Sequence, residues 1–173
     1  VCGGLHAAGS RHVLYVPDNP LSHVLRTLEV RYPDVRRTLA TREEEAFGIA
    51  AGAYLGGERP TVMLQSSGLG NSINALASLI VAYQIPMLVV ISMRGDAGEW
   101  NAAQVPMGRT VAPMLDALGI PYEAPASAEA VESCVRLAAS TAFATRTARA
   151  CLLSRSITTA GSLVAPASAG ARA

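Results

Sequence analysis

TREEEAFGIAAGAYLGGERPTVMLQSSGLGNSIN, residues 41–74, is the stretch whose reading decides the fold. Three acids, Glu43, Glu44 and Glu45, open a run of small apolar residues through Ala46, Ile49, Ala50 and Ala53 at helical spacing. Acids at a helix start are favoured by its dipole. Gly56 and Gly57 stop the helix, Pro60 follows, and residues 61–64 form a buried-looking apolar run. The Gly-rich segment 66–71 then reads as a turn that opens a second apolar helix. Glu43 therefore stands where a helix N-terminus meets a strand end, the crevice in which open α/β sheets place ligands.

Working outward, the same alternation repeats. Residues 1–8 read as the tail of a helix stopped by Gly9, and residues 12–16 as a short strand ending at Pro17. Pro17-Asp18-Asn19-Pro20 is turn chemistry, and residues 21–31 carry Leu21, Val24, Leu25 and Leu28 at helical spacing. Residues 35–40 read as a strand. Residues 68–83 read as one long helix burying Ile73, Leu76, Ala77, Ile80 and Val81. Residues 86–91 form an uninterrupted apolar run, as expected for a parallel strand covered on both faces. Residues 92–107 lack a clear period and read as a long loop, followed by a helix over 109–118. Residues 120–123 and 149–154 read as strands around a helix over 128–145. The pattern predicts an α/β fold, a doubly wound parallel sheet with helices on both faces. It predicts one domain over residues 1–156 and a disordered C-terminal tail over 157–173, where Ala, Ser, Gly and Thr leave little to bury.

Composition narrows the function classes. At 173 residues the chain suits a single domain with a full core. Half of it is hydrophobic and 5% is aromatic, so the core is aliphatic. A net charge of +1 carries no nucleic-acid footprint. Every Lys/Arg position is Arg, which excludes a Walker-type phosphate loop and a Schiff-base lysine. Cys2, Cys134 and Cys151 lack metal or disulfide spacing and suit a reducing, cytoplasmic setting. No apolar run is long enough to span a membrane, no signal peptide is read, and the start at Val1 implies a few missing N-terminal residues. No metal site is expected on this chain. His6, His12 and His23 show no paired acid and read as structural or solvent-facing; Met63 and Met87 read as core filler, and Trp100 as a loop anchor or subunit contact.

The Gly-rich segment alone is ambiguous. It lacks the third Gly of the dinucleotide fingerprint and the acid about 20 residues further on, so taken alone it reads first as a tight strand-to-helix turn. The combination is more specific. Glu43, then Ala46, Ala50 and Gly52 at offsets three, seven and nine, then Tyr54, a strand and a Gly-rich turn, resembles the pyrimidine-binding (PYR) domain of thiamine-diphosphate enzymes. In that family a Glu stands nine residues before the Gly of an A-x-G-Y-like segment, and counting back from Gly52 selects Glu43 over Glu44 and Glu45. Here Ala53 separates Gly52 from Tyr54. REEEAFGIAAGAYLGG, QSSGLGNSINALASL, residues 85–95, QVPMG (104–108) and LGIPY (118–122) are similar to the α subunits of sulfopyruvate decarboxylases. The match to phosphonopyruvate decarboxylases is looser, although VPDN (16–19) leans their way.

The resemblance implies a carboxy-lyase that decarboxylates a small anionic 2-keto acid, sulfopyruvate first and phosphonopyruvate second, with coenzyme M biosynthesis as the setting. It implies thiamine diphosphate as cofactor, with the Glu43 carboxyl hydrogen-bonding the aminopyrimidine N1′ and residues Ser67, Gly68, Leu69, Gly70 and Asn71 lining the cofactor. The family holds Mg²⁺ and diphosphate on a second (PP) domain through a GDG motif. Here the only Gly-Asp is Gly95-Asp96-Ala97, so a β subunit carrying the PP domain is the expected partner, and the chain should be active only with it. Asp18, Arg94, Gln104 and Arg109 are the candidate substrate-binding residues, since an Arg fork suits carboxylate and tetrahedral oxyanions. Helix capping by Asp18 and surface pairing by the two arginines are the competing readings. Two rivals remain at this point: a non-catalytic Rossmann-like nucleotide-binding module, and a regulatory subunit that only supports an active partner.

Overall fold

The computed structural model describes residues 1–159. The chain runs α1 (Cys2–Ala7), β1 (His12–Tyr15), α2 (Asn19–Arg31), β2 (Arg36–Leu39), α3 (Glu43–Leu55), β3 (Pro60–Gln65), α4 (Ser66–Asn71) and α5 (Ile73–Ala75). A π-helical turn (Leu76–Val81) continues α5. There follow β4 (Leu88–Ser92), a 3₁₀ turn (Ala102–Gln104), α6 (Val105–Ala117), β5 (Tyr122–Glu123), α7 (Val131–Thr145), β6 (Arg149–Leu153) and α8 (Arg155–Thr159). The six strands form one all-parallel sheet in the order β2-β1-β3-β4-β6-β5.

Side chains on a strand alternate between faces, and the core divides accordingly. Leu14, Val62, Leu64, Val89, Ile91 and Leu152 pack with Phe47 and Ala50 of α3, Leu76 and Ile80 of the π segment, and Val111 and Leu115 of α6. Val13, Met63, Leu88, Val90, Cys151 and Leu153 pack on the other face with α1, with Leu21 and Leu28 of α2, and with Val135 and Ala139 of α7. All five residues of β4 are buried, as a central parallel strand requires. The expected doubly wound sheet with helices on both faces is the observed one.

The segment 66–71 is not a turn. It is helical from the last residue of β3 onward, and neither Gly68 nor Gly70 adopts a positive φ. The single long helix expected over 68–83 is broken at Ser72, and its second part widens to π geometry, closed by Ile85 N–H donating to the Ile80 carbonyl. The changed winding leaves Leu76 and Ile80 inside but turns Val81 out, 38% exposed, against expectation. Helices α2 and α6 begin at Asn19 and Val105, earlier than their expected starts at 21 and 109. In both a proline occupies the first turn, where its missing N–H costs nothing, so what reads as a breaker is a helix start.

Two further expectations need correction. His6 and His12 do have acid partners: His6 Nε2 lies 3.1 Å from Asp34, and His12 Nδ1 lies 2.7 Å from Glu58, with Thr38 at the other ring nitrogen. Sequence separations of 28 and 46 residues hid both pairs. Burial lowers the His12 pKa, and the ring sits at the start of β1, the opposite end of the strand from Asp18. Residues 157–159, expected in the disordered tail, belong to α8, where Ile157 packs on the core. The rest of that tail, residues 160–173, lies outside the described residues.

The three cysteines are free. Burial pushes the Cys151 thiol up, and its sulfur lies 3.7 Å from that of Cys134, unbonded. Met63 and Met87 are both fully buried.

Candidate active site

Every candidate residue leaves the sheet at its C-terminal edge. Asp18 follows β1, Glu43 follows β2, α4 follows β3, and Arg94, Gln104 and Arg109 follow β4. The strand order reverses between β1 and β3, since the chain goes from β1 out to β2 and then crosses back. Such a reversal opens the crevice in which parallel α/β sheets bind ligands.

The structure sorts the three adjacent acids at the start of α3. Glu45 accepts hydrogen bonds from the N–H and hydroxyl of Thr41, both at 2.7 Å, and closes the helix N-terminus. Glu44 pairs with Arg42 at 2.8 Å. Glu43 alone turns to α4, where Asn71 Nδ2 donates to its Oε2 at 3.3 Å. A Cβ on Gly68 would fall 2.5 Å from Glu43 Cγ and 2.7 Å from Oε1. Gly68 is therefore the seat on which the Glu43 side chain lies, and its hydrogen side chain serves close approach rather than an unusual φ. Gly70 plays the same part for Met107, whose Cε stands 2.5 Å from where its Cβ would be.

The other candidates divide. Leu69 is buried in the core, so only its backbone can serve a ligand, and Ser67 is half-buried on α4. Asp18 occupies the N-cap position of α2 yet makes no capping bond; its Oδ2 accepts instead from Ser92 Oγ at 2.5 Å, across from β1 to β4. Arg94 is not a loose surface cation. Its Nε and Nη2 donate to Glu99 at 2.8 and 3.0 Å, and its backbone N–H donates to Ser66 Oγ at 2.9 Å. Gln104 is half-buried beside this loop, and Arg109 is exposed on α6.

Glu99 and Ser92 carry weight that the sequence did not reveal. The Glu99 side chain is 1% exposed and accepts from Arg94 and from the backbone N–H groups of Gly95 and Asn101. It, not Trp100, anchors the loop; Trp100 is 79% exposed. An acid close to an Arg in a Gly-containing loop was the only available signal, and Asp96, two residues from Arg94, competed with Glu99, five residues from it.

The hydrogen bonds of Arg94, with those of Asn101 and Gly95, pull the Glu99 pKa from 4.5 to about 2. The unfolded chain therefore takes up a proton first as pH falls. The stabilisation is complete above about pH 4.5 and is lost progressively towards about pH 2. Urea midpoints measured between pH 6 and pH 3 should fall more steeply for the wild type than for Glu99→Gln, which starts lower and has no such group to titrate. Parallel curves would mean that Glu99 does not carry the acid sensitivity.

An aminopyrimidine fits this edge. The Glu43 carboxylate takes one hydrogen bond from Asn71 and keeps acceptor capacity, while Gln65 Oε1 and Gln104 Oε1 are buried without a donor. The open Glu43 acceptor would suit a ring bearing N–H donors. Among the described residues no group of three or more His, Cys, Asp and Glu side chains could hold a metal ion, and no helix is long and apolar enough to cross a membrane.

Comparison with known proteins agrees with this geometry. Residues 1–116 match the family described as thiamine pyrophosphate enzyme, N-terminal TPP binding domain. The chain is 45% identical over 134 residues to the sulfopyruvate decarboxylase subunit alpha of Methanothermobacter thermautotrophicus, covering 77% of this chain and 81% of that protein. It is 38% identical over 114 residues to the phosphonopyruvate decarboxylase of Streptomyces viridochromogenes, covering 65% of this chain but 28% of that one. Among solved structures, the 2-oxoglutarate:ferredoxin oxidoreductase from Magnetococcus marinus superposes with a TM-score of 0.64 at 17% identity, over 88% of this chain and 28% of that one, a likeness of fold.

Proposed function

The chain belongs to the thiamine pyrophosphate enzyme N-terminal domain family and, within it, to the sulfopyruvate decarboxylase alpha subunits, and on that premise we propose that it is the α subunit of a 2-keto acid decarboxylase acting on sulfopyruvate. The observation that carries the reading is the placement of Glu43. Of three consecutive acids it alone is turned from the helix start onto Gly68 and Asn71, at the crevice of the sheet.

Thiamine diphosphate, when bound, supplies the carbanion that attacks the keto carbon and the sink for the electrons released with carbon dioxide. Glu43 would accept the N–H of a protonated aminopyrimidine nitrogen, and Asn71 holds the carboxylate for that bond. Ser67, Gly68, Leu69 and Gly70 would present the backbone and small surface of α4 to the ring. Asp18, held by Ser92, is our candidate for orienting the substrate. Arg94, Gln104 and Arg109 are our candidates for the substrate's negative groups. A dry site strengthens each of these interactions.

We assign the diphosphate and Mg²⁺ to a β subunit carrying the PP domain, with the active site between the two chains. Gly95-Asp96-Ala97 standing where a GDG motif would be needed supports that assignment. Three free cysteines suit a cytoplasmic location. The test is to co-express the chain with its PP-type partner and measure carbon dioxide release from sulfopyruvate and phosphonopyruvate. Turnover should require both chains and favour sulfopyruvate by tenfold or more, a difference of only about 1.4 kcal/mol. A purified chain that works alone would overturn the reading, and preference for phosphonopyruvate would move the chain to the second substrate.

A further inference from the structure

Asp18 stands at the N-cap of α2 with extended backbone, the conformation in which an aspartate normally caps a helix. Pro20 in the first turn has no N–H, so the donor left for a cap is that of Leu21. The side chain makes no such bond. Its Oδ2 accepts instead from Ser92 Oγ at 2.5 Å, 74 residues away in the sequence. A helix cap is given up to hold a carboxylate at the crevice, and departures of this kind from local preference gather at functional sites.

Ser92 closes β4, fully buried, on the sheet face where Leu88 and Val90 meet α2 and α7. The strands lie in the order β1-β3-β4, so a bond from the end of β1 to the end of β4 crosses over the end of β3. There α4 begins without a break. Its first residue, Ser66, is also fully buried; the hydroxyl donates to the Ser92 carbonyl at 3.4 Å and accepts the Arg94 N–H at 2.9 Å. Two residues on, Gly68 seats Glu43. The Asp18 carboxylate and the Glu43 seat are thus tied to one junction, that of β3 with α4. Ser92 takes up one carboxylate oxygen of the half-buried Asp18 and leaves the other, Oδ1.

We infer that Ser92 is a positioning residue of the proposed reaction: it draws the Asp18 carboxylate off the α2 cap and holds it over the β3–α4 junction, where it orients the substrate. This role rests on the decarboxylase reading and deepens it, naming the group that fixes a substrate-orienting carboxylate. A hydroxyl suits the task. It donates one hydrogen bond from a buried strand and adds no charge to a site that takes an anionic substrate. Burial keeps water from competing for that bond.

Two variants separate place from charge. Ser92→Ala keeps the carboxylate but frees it. Asp18→Asn keeps the Ser92 bond through its amide oxygen but removes the charge. In the complex with the PP-type partner, Ser92→Ala should lower kcat for sulfopyruvate tenfold or more and move KM less than threefold. Ser92→Thr, which restores the hydroxyl, should recover most of the loss. The double variant should be no slower than the slower single one, because both act through one carboxylate. Ser10→Ala is the control. Ser10 is equally buried and hydrogen-bonded, at the opposite edge of the sheet, so its loss should lower the thermal midpoint and leave kcat unchanged. A second readout needs no turnover. In the full-length chain, exchange of the Leu21 amide proton, followed by NMR, should slow at least tenfold in Ser92→Ala, as the freed Asp18 caps it, and should keep the wild-type rate in Ser92→Thr. Unchanged kcat in Ser92→Ala, or losses that multiply in the double variant, overturn the positioning role. An unchanged Leu21 amide overturns it too, since Ser92 would not be what keeps Asp18 off the cap. No turnover by the wild-type complex overturns the decarboxylase reading and the role within it, and the Leu21 amide alone then decides whether Ser92 holds Asp18.

Discussion

Glu43→Gln should lower keto acid turnover by the assembled enzyme by on the order of 10²–10⁴-fold, the usual worth of a positioned acid or base. The substitution keeps the length and shape of the side chain. The Gly68 seat still accommodates it, because the contacts there are to Cγ, Cδ and Oε1, all of which have counterparts in Gln. What it removes is an anionic acceptor that can take and return a proton. Folding should be unaffected within about 0.5 kcal/mol, the scale of substitutions that open no cavity and strand no buried charge. Circular dichroism and the thermal midpoint establish the folded state, and carbon dioxide release measures the loss. Glu44→Gln and Glu45→Gln are the internal controls. Their carboxylates serve Arg42 and Thr41, so turnover should stay within about twofold. Glu43→Gln turnover within threefold of wild type would take Glu43 out of the mechanism.

The second large effect is on stability. Gly108→Ala should cost about 3 kcal/mol or more, at the upper end of overpacking penalties, and lower the thermal midpoint by about 6–12 °C for a domain of this size. A Cβ at Gly108 would stand 1.8 Å from the carbonyl oxygen of Arg94 and 2.7 Å from its carbonyl carbon. Neither side can yield cheaply. Arg94 is held by Ser66 through its N–H and by Glu99 through its guanidinium. Gly95 beyond it sits at φ +80 with its own missing Cβ 2.9 Å from Val105 Cα. The clash is backbone against backbone, and relief would have to move α6 or the loop. Gly48→Ala is the contrast: nothing lies within 4 Å of its Cβ, so the isolated chain should gain about 0.5–1 kcal/mol from the lower entropy of its unfolded state. Equal midpoints for Gly108→Ala and the wild type would mean that α6 and the loop are not packed this closely.

The two predictions show how differently the glycines of one chain can be used. Gly52 lies on the exposed side of α3 and Gly56 caps its C-terminus, whereas Gly68 and Gly108 admit a neighbour's atoms. The letter G is the same in each case. Only the partner across the gap tells a seat for Glu43 from a turn, and that partner lies 25 residues away for Gly68 and 14 for Gly108.

Read alone, the sequence determined the alternation of strand and helix, the parallel sheet, its buried central strands and the edge on which the candidate site lies. Those features follow from periodicity and from short-range chemistry: apolar runs of strand length, apolar residues at helical spacing, acids at a helix start. The resemblance to the PYR domain, counted back from Gly52, separated Glu43 from its two neighbours. Tertiary structure decided what needs contacts between distant residues. It turned 66–71 into a helix beneath Glu43, paired Asp18 with Ser92 across the sheet, and set Glu99 under Arg94 and Arg155. A periodic pattern reports which face of an element meets apolar surroundings. It holds no record of which polar group meets which, because that choice is made only when the strands lie side by side and their loops converge.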